Sequence, residues 1–186
     1  MERKKDFFKS HVIAAVRDEE GVLEACSSPV SAAVLLGGDI MTMPGYVEKL
    51  RAHGKLSFVH IDLMEGIAKD SAGVRYIARQ IRPDGLISTK AQLLHIGADE
   101  GLKTIMRMFL VDSASLIRGE KLARAASPDY IEVLPGLVPK AIIYLCSHLN
   151  IPVIAGGMIT TGEDVKTAIS AGAIAVSTSN KDLWNM

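Results

Sequence analysis

The sequence is poor in cysteine and in aromatic residues, and each shortage argues against a class of protein. It contains two cysteines, Cys26 and Cys146, and 5% aromatic residues. Two cysteines so far apart form neither the paired spacing of a zinc site nor a disulfide framework, so we expect a reducing, cytoplasmic compartment. No grouping of histidine, cysteine and carboxylate residues has metal-site spacing, and no metal is expected. The few aromatic residues form no RNP-like motif of the kind that stacks on RNA bases.

The chain also lacks an excess of charge and long apolar runs. Its 21 lysine and arginine residues balance 21 aspartate and glutamate residues, so the whole molecule is not attracted to phosphate backbones or anionic membranes. No stretch approaches the roughly 20 apolar residues that would span a bilayer. The first apolar run, VIAAV, is too short for the core of a signal peptide. These features predict a protein with no membrane partner, in which any nucleic-acid contact needs a local basic patch.

What the chain does contain is a repeated unit, a short apolar run followed by polar residues and an amphipathic segment. The eight runs cover residues 12–16, 32–36, 56–61, 85–87, 106–111, 130–134, 153–155 and 173–176. Successive runs start about 20–30 residues apart, the length of one strand, one helix and two short loops. Runs that are apolar on both faces are typical of a parallel sheet covered by helices. The pattern predicts eight βα units in one domain over residues 1–186.

Eight such units close most naturally into a TIM-type (β/α)8 barrel of the α/β class. The alternative is an open doubly wound sheet, which normally has about five or six strands. Because the length of 186 residues lies below the usual minimum of about 200, we expect a compact barrel with some helices short or missing.

Helix-ending residues support the division into units. Pro44 and Pro139 are predicted to open helices, which Gly54 and Asn150 are predicted to end in the left-handed conformation. A capping pair is expected ahead of the segment EDVKTAISAG, formed by Thr160 with Glu163 or by Thr161 with Asp164.

The stretch VIAGGMIT ends the seventh apolar run with two glycines. In TIM barrels, the loops after the seventh and eighth strands commonly hold phosphate. Gly156 and Gly157 would let main-chain N–H groups face an anion without a Cβ in the way. Ser177, Thr178 and Ser179 would add hydroxyl donors from the loop after the eighth run. A plain turn explains the glycine pair alone, but both features together favour an anion site.

Other polar residues stand where predicted strands end, and a barrel would bring them to one mouth: Arg17, His60, Asp62, Lys90, Asp112 and Glu132. His60 and Asp62 are two residues apart and would share one face of a strand, although His60 is equally well explained as a core residue. Asp112 can instead cap a helix, and Lys90 can begin one. A carboxylate inside an apolar strand is costly unless it is paired, so we expect Glu132 to meet Lys90 or a ligand hydroxyl.

Several segments, in order, resemble the bacterial glycerol uptake operon antiterminator regulatory proteins: HIDLMEGIAKDSAGVRYIARQIRPDGLISTK, FLVDSAS, PDYIEVLPGLVPKAI, PVIAGGMI and AGAIAVSTSNKDLW. The resemblance extends from about His11 to Trp184. It implies a barrel that binds glycerol-3-phosphate as an effector, without other cofactors, and then acts on the leader mRNA of glycerol-use genes to prevent early termination. It also implies that the phosphate of the ligand lies on Gly156, Gly157, Ser177, Thr178 and Ser179. The edge of that phosphate or the hydroxyls of the ligand would then lie near Lys90, Glu132, Asp62 and Asp112.

The RNA function depends on this resemblance, since the basic candidates are few. They are the segment MERKK and a helix that carries Arg118, Lys121 and Arg124. Two other functions remain open, a barrel that works through a protein partner and an enzyme acting on a triose or sugar phosphate. In the enzyme, Lys90 would form an imine or act as a base while Asp62 or Glu132 moves protons. The fold serves each function, and the resemblance favours the regulator, with no catalytic residue. A homo-oligomer is compatible with the sequence.

Overall fold

A computed structural model describes residues 8–186 of the chain. Eight parallel strands form a closed barrel in which each strand pairs with its neighbours in sequence and the last pairs with the first. The strands are β1 Val12–Val16, β2 Ala32–Leu35, β3 Leu56–His60, β4 Gly85–Ser88, β5 Lys103–Phe109, β6 Tyr130–Leu134, β7 Val153–Gly156 and β8 Ala175–Thr178. The prediction of a TIM-type barrel is therefore confirmed.

Helices connect the strands on the outside of the barrel. They are α1 Glu19–Ser27, α2 Met43–Ala52, α3 Ser71–Tyr76, α4 Ala91–Asp99, α5 Ser113–Ala126, α6 Pro139–His148 and α7 Gly162–Ser170. A π-helical segment, Ile77–Ile81, continues α3, and a short 3-10 helix, Lys181–Asn185, follows β8 where an eighth α-helix would stand. Within residues 8–186, no helix combines the length and apolar character needed to cross a bilayer.

The helix ends agree with the predictions except at one position. Proline stands in the first turn of α2 and of α6, and Gly54 has a left-handed φ of 68°. The prediction for Asn150 is wrong, because the C-cap of α6 is Leu149, which is extended with φ −115°, and Asn150 does not have a positive φ. The Leu149 side chain packs in the hydrophobic core.

The N-terminus of α7 decides between the two predicted capping pairs. Thr161 accepts a hydrogen bond from the N–H of Asp164, and the Asp164 side chain accepts one from the N–H of Thr161, which forms a capping box. The pair of Thr161 with Asp164 is thus the one that the structure contains.

Alternation along the strands sorts the core into two layers, because successive side chains of a strand point to opposite faces. The inner layer fills the barrel with Ile13, Val34, Phe58, Ile87, Ile105, Tyr130, Ile154 and Ala175. The outer layer lies between strands and helices and includes Val59, Leu86, Met106 and Val133. On five strands, the next inward-facing position toward the carboxyl end lies two residues after an inner-layer residue. These positions hold His60, Arg107, Glu132, Gly156 and Ser177. The carboxyl-terminal mouth of the barrel is therefore polar.

Candidate ligand-binding site

A cavity of about 400 Å³ opens at the carboxyl ends of β7, β8 and β1. It is lined by Ala15, Arg17, Leu36, Arg107, Leu134, residues 157–160 and residues 177–180. The glycine loop after β7 and the hydroxyl residues of β8 thus border one cavity. Among the predicted ligand-binding residues, those in the lining are Arg17, Gly157, Ser177, Thr178 and Ser179.

Hydrogen bonds hold the two loops together. The Thr178 hydroxyl donates to the carbonyl of Ile159 at 2.7 Å, and the Asn180 side-chain amide donates to the carbonyl of Thr160 at 2.8 Å. The Trp184 indole N–H donates to the carbonyl of Thr178 at 2.9 Å. The Thr178 hydroxyl therefore has a structural partner already and is not an uncommitted donor.

The end of β8 differs from the sequence prediction. Ser177 and Thr178 were expected in a loop, but both belong to the strand. The strand starts at Ala175 rather than 173, because residues 171–172 form a turn after α7 and residue 174 is still a bend. The inward-facing Ser177 hydroxyl donates to Glu132 Oε1 at 2.5 Å. A hydroxyl has one proton, so Ser177 presents only lone pairs to the cavity.

Main-chain N–H groups remain available at the loops. Within residues 8–186, the N–H groups of Gly157, Met158, Ile159 and Ser179 form no hydrogen bond. Gly157 and Met158 both have a left-handed backbone, with φ of 71° and 63°, and only glycine adopts that conformation without strain. Clustered N–H groups without a protein partner are the usual anion-binding element of such loops.

The structure gives a different reason for a glycine at position 156 than the predicted approach of an anion to its main chain. It does not line the cavity, and a Cβ added there would lie 2.6 Å from Ser177 Oγ and 2.7 Å from Glu132 Oε1. Both distances are shorter than any van der Waals contact. The missing side chain lets two neighbouring side chains meet over β7.

A buried ion pair lies beneath the cavity. Arg107 Nε donates to Glu132 Oε2 at 2.6 Å, and the two residues are partners in the register of β5 and β6. They are 8% and 1% exposed. The expectation that Glu132 meets Lys90 is wrong, because Lys90 is exposed where α4 begins. Arg107 was not predicted from the sequence as a site residue. Its signal is the same as that of Glu132, a single charged residue inside an apolar run, here IMRMF.

Positive charge reaches the cavity from two strands. Arg107 lines it from β5, and Arg17 lines it from the loop after β1. The Arg17 side chain is exposed and forms no ion pair within the described part of the chain. A phosphate would therefore meet one paired and one unpaired guanidinium at this mouth.

The sequence model for glycerol-3-phosphate responsive antiterminators matches residues 12–184. The chain belongs to this family. It is 34% identical to the glycerol uptake operon antiterminator regulatory protein of Listeria monocytogenes, whose crystal structure superposes with a TM-score of 0.92 over 96% of this chain and 97% of that one. The antiterminator-related protein of Thermotoga maritima is 28% identical, with a TM-score of 0.85 over 97% of this chain and 100% of that one.

A relative is also found in Escherichia coli K12, the uncharacterized protein YgcP. It is 37% identical over 175 residues, which are 94% of this chain and 92% of YgcP. The resemblance to the antiterminator family that the sequence motifs indicated is confirmed.

In this antiterminator-family chain, His60 and Asp62 lie outside the cavity lining. His60 is buried, its Nδ1 has no hydrogen-bond partner in residues 8–186, and it lies 4.0 Å from Asp62 Oδ2. Burial and the charge of Arg107 lower the pKa of His60 to about 4, which keeps the ring neutral near pH 7. Asp62 accepts hydrogen bonds from the Ser88 hydroxyl and the Thr89 N–H, so its carboxylate ties β3 to β4.

Asp112 takes the alternative role that the sequence allowed. It is the N-cap of α5, where its carboxylate accepts the Ser115 N–H at 2.7 Å. Hydrogen bonds from the main chain and hydroxyl of Ser115 hold the pKa of Asp112 below its usual value. Asp112 is not among the residues that line the cavity.

The basic helix is only partly free of partners. Arg118 and Lys121 are exposed on α5 and form no ion pair within residues 8–186. Arg124 is hydrogen-bonded to Glu120 on the same helix. The other predicted basic segment, MERKK, lies outside the described residues. No group of three or more possible metal ligands is found in the described part of the chain.

Proposed function

We propose that the chain binds glycerol-3-phosphate in the mouth cavity and, when occupied, binds the leader mRNA of glycerol-use genes and prevents early termination of transcription. It would act in the cytoplasm as a regulator without catalysis and with no cofactor besides this effector. The observation that carries the proposal is one cavity that is lined by Arg17, Arg107 and four residues whose N–H groups have no partner in residues 8–186, namely Gly157, Met158, Ile159 and Ser179. A phosphate dianion needs such converging donors and cations.

The size of the cavity supports a small ligand. Its volume of about 400 Å³ lies at the low end of the range of about 300–1,000 Å³ for small-molecule sites. The phosphate would occupy the outer part, between the loops after β7 and β8. The glycerol part would point inward to Ser177 and Arg107.

Ligand binding would act on three loops together. Residues 157–160 follow β7, residues 179–180 follow β8, and Arg17 follows β1. A phosphate bound to all three would favour one arrangement of them. RNA affinity then changes only if that arrangement contacts RNA better than the free one. The exposed cations Arg118 and Lys121 on α5 are a second candidate contact for the RNA.

The position of Lys90 favours a regulator over an enzyme. Imine formation requires the lysine amine to meet a substrate carbon in the cavity. Lys90 is exposed at the start of α4 and is absent from the lining. We therefore expect no turnover of triose or pentose phosphates.

A mobility-shift titration of labelled leader RNA, with and without glycerol-3-phosphate, tests the proposal. We expect the effector to strengthen RNA binding at least about tenfold, the lower part of the range of allosteric coupling. Inorganic phosphate serves as the control effector. Binding that is absent, or equal with and without glycerol-3-phosphate, would contradict the switch, and calorimetry on the protein alone reports separately whether the effector binds.

A further inference from the structure

Two polar side chains form the inner end of the cavity, and a third residue holds both of them. Arg107 and Ser177 line the cavity, and we call them the cavity floor. Behind them, one carboxylate oxygen of Glu132 accepts a hydrogen bond from Arg107 Nε at 2.6 Å, and the other accepts one from the Ser177 hydroxyl at 2.5 Å. Glu132 is itself 1% exposed, so it acts on a ligand only through these two neighbours.

The bond to Glu132 fixes the polarity of the Ser177 hydroxyl. Its single proton points to the carboxylate, and hydrogen bonds to a charged acceptor are the strong ones. Turning the proton into the cavity would leave a buried carboxylate oxygen without its donor, which is unfavourable. Ser177 therefore offers the cavity a hydrogen-bond acceptor and no donor.

Arg107 offers the opposite polarity beside it. A guanidinium carries five N–H donors and no acceptor. Nε is used by Glu132, and the two terminal nitrogens form no hydrogen bond within residues 8–186. The cavity floor thus combines an acceptor with donors.

We infer that this cavity floor selects an alcohol against a carbonyl, so that the site takes glycerol-3-phosphate and rejects its C2 ketone, dihydroxyacetone phosphate. An alcohol can donate to Ser177 Oγ while it accepts from Arg107. A ketone oxygen only accepts, so it leaves Ser177 Oγ without a donor, and sites built to bind a hydroxyl discriminate strongly against analogues that lack it. The inference rests on the proposed function and specifies which phosphates that site accepts.

The second carbon is the position concerned, because the alcohol and the ketone differ there and nowhere else. Ser179 lines the same cavity as the glycine loop and is two residues from Ser177. Two residues of chain span at most about 7 Å, a distance within reach of a three-carbon phosphate. The phosphate can therefore bind at the loops while a hydroxyl meets the cavity floor.

Calorimetric titration of the full chain with the two phosphates, and with inorganic phosphate, tests the inference. We expect glycerol-3-phosphate to bind about tenfold more tightly than the ketone or better, the ratio that one hydrogen bond of ordinary strength gives. Equal affinities would overturn this inference and leave the proposed function intact. If none of the three binds, the proposed function fails and the inference falls with it.

Glu132→Gln is the sharper experiment, because it reverses the polarity of Ser177. Arg107 has no acceptor, so the glutamine carbonyl must face Arg107 and its NH₂ must face Ser177. The NH₂ then donates to Ser177 Oγ, whose proton turns into the cavity and suits a ketone. We expect the preference for the alcohol to disappear or reverse, while an unchanged preference would overturn the inference.

The chain offers a matched control in Glu120→Gln on α5. Glu120 also binds an arginine and a hydroxyl, through Arg124 and the Tyr144 OH, but it lies outside the cavity lining. This variant should keep the wild-type preference. If Glu132→Gln does not fold, Ser177→Ala removes the acceptor instead and should weaken binding of glycerol-3-phosphate about tenfold with little change for the ketone. An equal loss for both ligands would count against the inference.

Discussion

The Ser177 hydroxyl on β8 reaches the Glu132 carboxylate on β6 across the intervening strand β7, at an Oγ–Oε1 distance of 2.5 Å. The contact exists because Gly156, the β7 residue paired in register with Ser177, has no side chain. Together with the ion pair to Arg107, this bond links inward-facing residues of β5, β6 and β8 into one polar group. A buried hydrogen-bonded network of this kind rigidifies a core and makes its members energetically dependent on one another.

Gly156→Ala should lower both stability and affinity for the effector. The new Cβ would lie 2.6 Å from Ser177 Oγ, so the side chains of the polar group must move apart. Overpacking of this kind costs about 1–3 kcal/mol of unfolding free energy, measurable by urea denaturation. Gly45→Ala in α2 is the control, because nothing lies within 4 Å of its added Cβ. Gly45→Ala should be at least as stable as the wild type, because alanine favours a helix over glycine, and the steric account is wrong if Gly156→Ala is also as stable as the wild type.

Arg107→Met should be strongly destabilising, since it leaves the Glu132 carboxylate buried without its cation. Breaking a buried ion pair from one side costs about 3–5 kcal/mol. The double variant Arg107→Met with Glu132→Leu removes both charges and should regain part of the loss. Urea denaturation of the two single variants and the double variant gives the coupling energy. If the losses of unfolding free energy in the two single variants simply add in the double variant, the ion pair is not the cause of the destabilisation.

The order of the barrel was predictable from the sequence, whereas the partners inside it were not. Eight apolar runs at regular spacing need no tertiary information, because each strand is buried on both faces. The partner of Glu132 depends on the register of β5 against β6, where a shift of one residue would turn Arg107 to the other face. The spacing of the apolar runs along the sequence does not reveal how β5 and β6 are aligned.

Local chemistry explains the other differences. Asp112 as a helix cap could be anticipated, because the Ser-rich start of α5 lies next to it in sequence. The role of Gly156 could not, since it depends on two side chains from strands that are not adjacent to each other. The hydroxyls of Ser177 and Thr178 indicated an anion site by residue type, but their existing hydrogen bonds appear only in the fold.

Protonation of His60 should make the protein less stable in mild acid. Its pKa is lowered to about 4 in the fold, against about 6.5 in an unfolded chain. Between these values the unfolded state binds more protons, so unfolding free energy falls as pH falls, by at most about 1.4 kcal/mol per pH unit. Urea denaturation at pH 7 and pH 5 should show a smaller pH dependence for His60→Gln than for the wild type. Identical slopes would mean that His60 is protonated equally in both states.

Asp112→Asn should change acid stability without changing effector affinity. The hydrogen bonds from Ser115 depress the Asp112 pKa, so the carboxylate stabilises the fold above its unfolded pKa of about 3.9, and this contribution is lost as pH falls through the lower folded value. Asparagine still caps the helix but does not titrate. Thermal melts between pH 5 and pH 3 should therefore show a weaker pH dependence in the variant. Calorimetry with glycerol-3-phosphate should match the wild type, and a clear loss of affinity would return Asp112 to the ligand site.

Arg17→Ala should weaken effector binding while leaving stability unchanged. The side chain lines the cavity from an exposed position and forms no ion pair in the described part of the chain, so its loss leaves no protein group unpaired. A hydrogen bond to a charged group contributes about 1.5–3 kcal/mol, and calorimetry should show affinity for glycerol-3-phosphate reduced roughly 10- to 100-fold. Arg118→Ala on α5 removes an exposed arginine outside the cavity and should leave that affinity intact. Equal affinities of both variants and the wild type would place the phosphate away from Arg17.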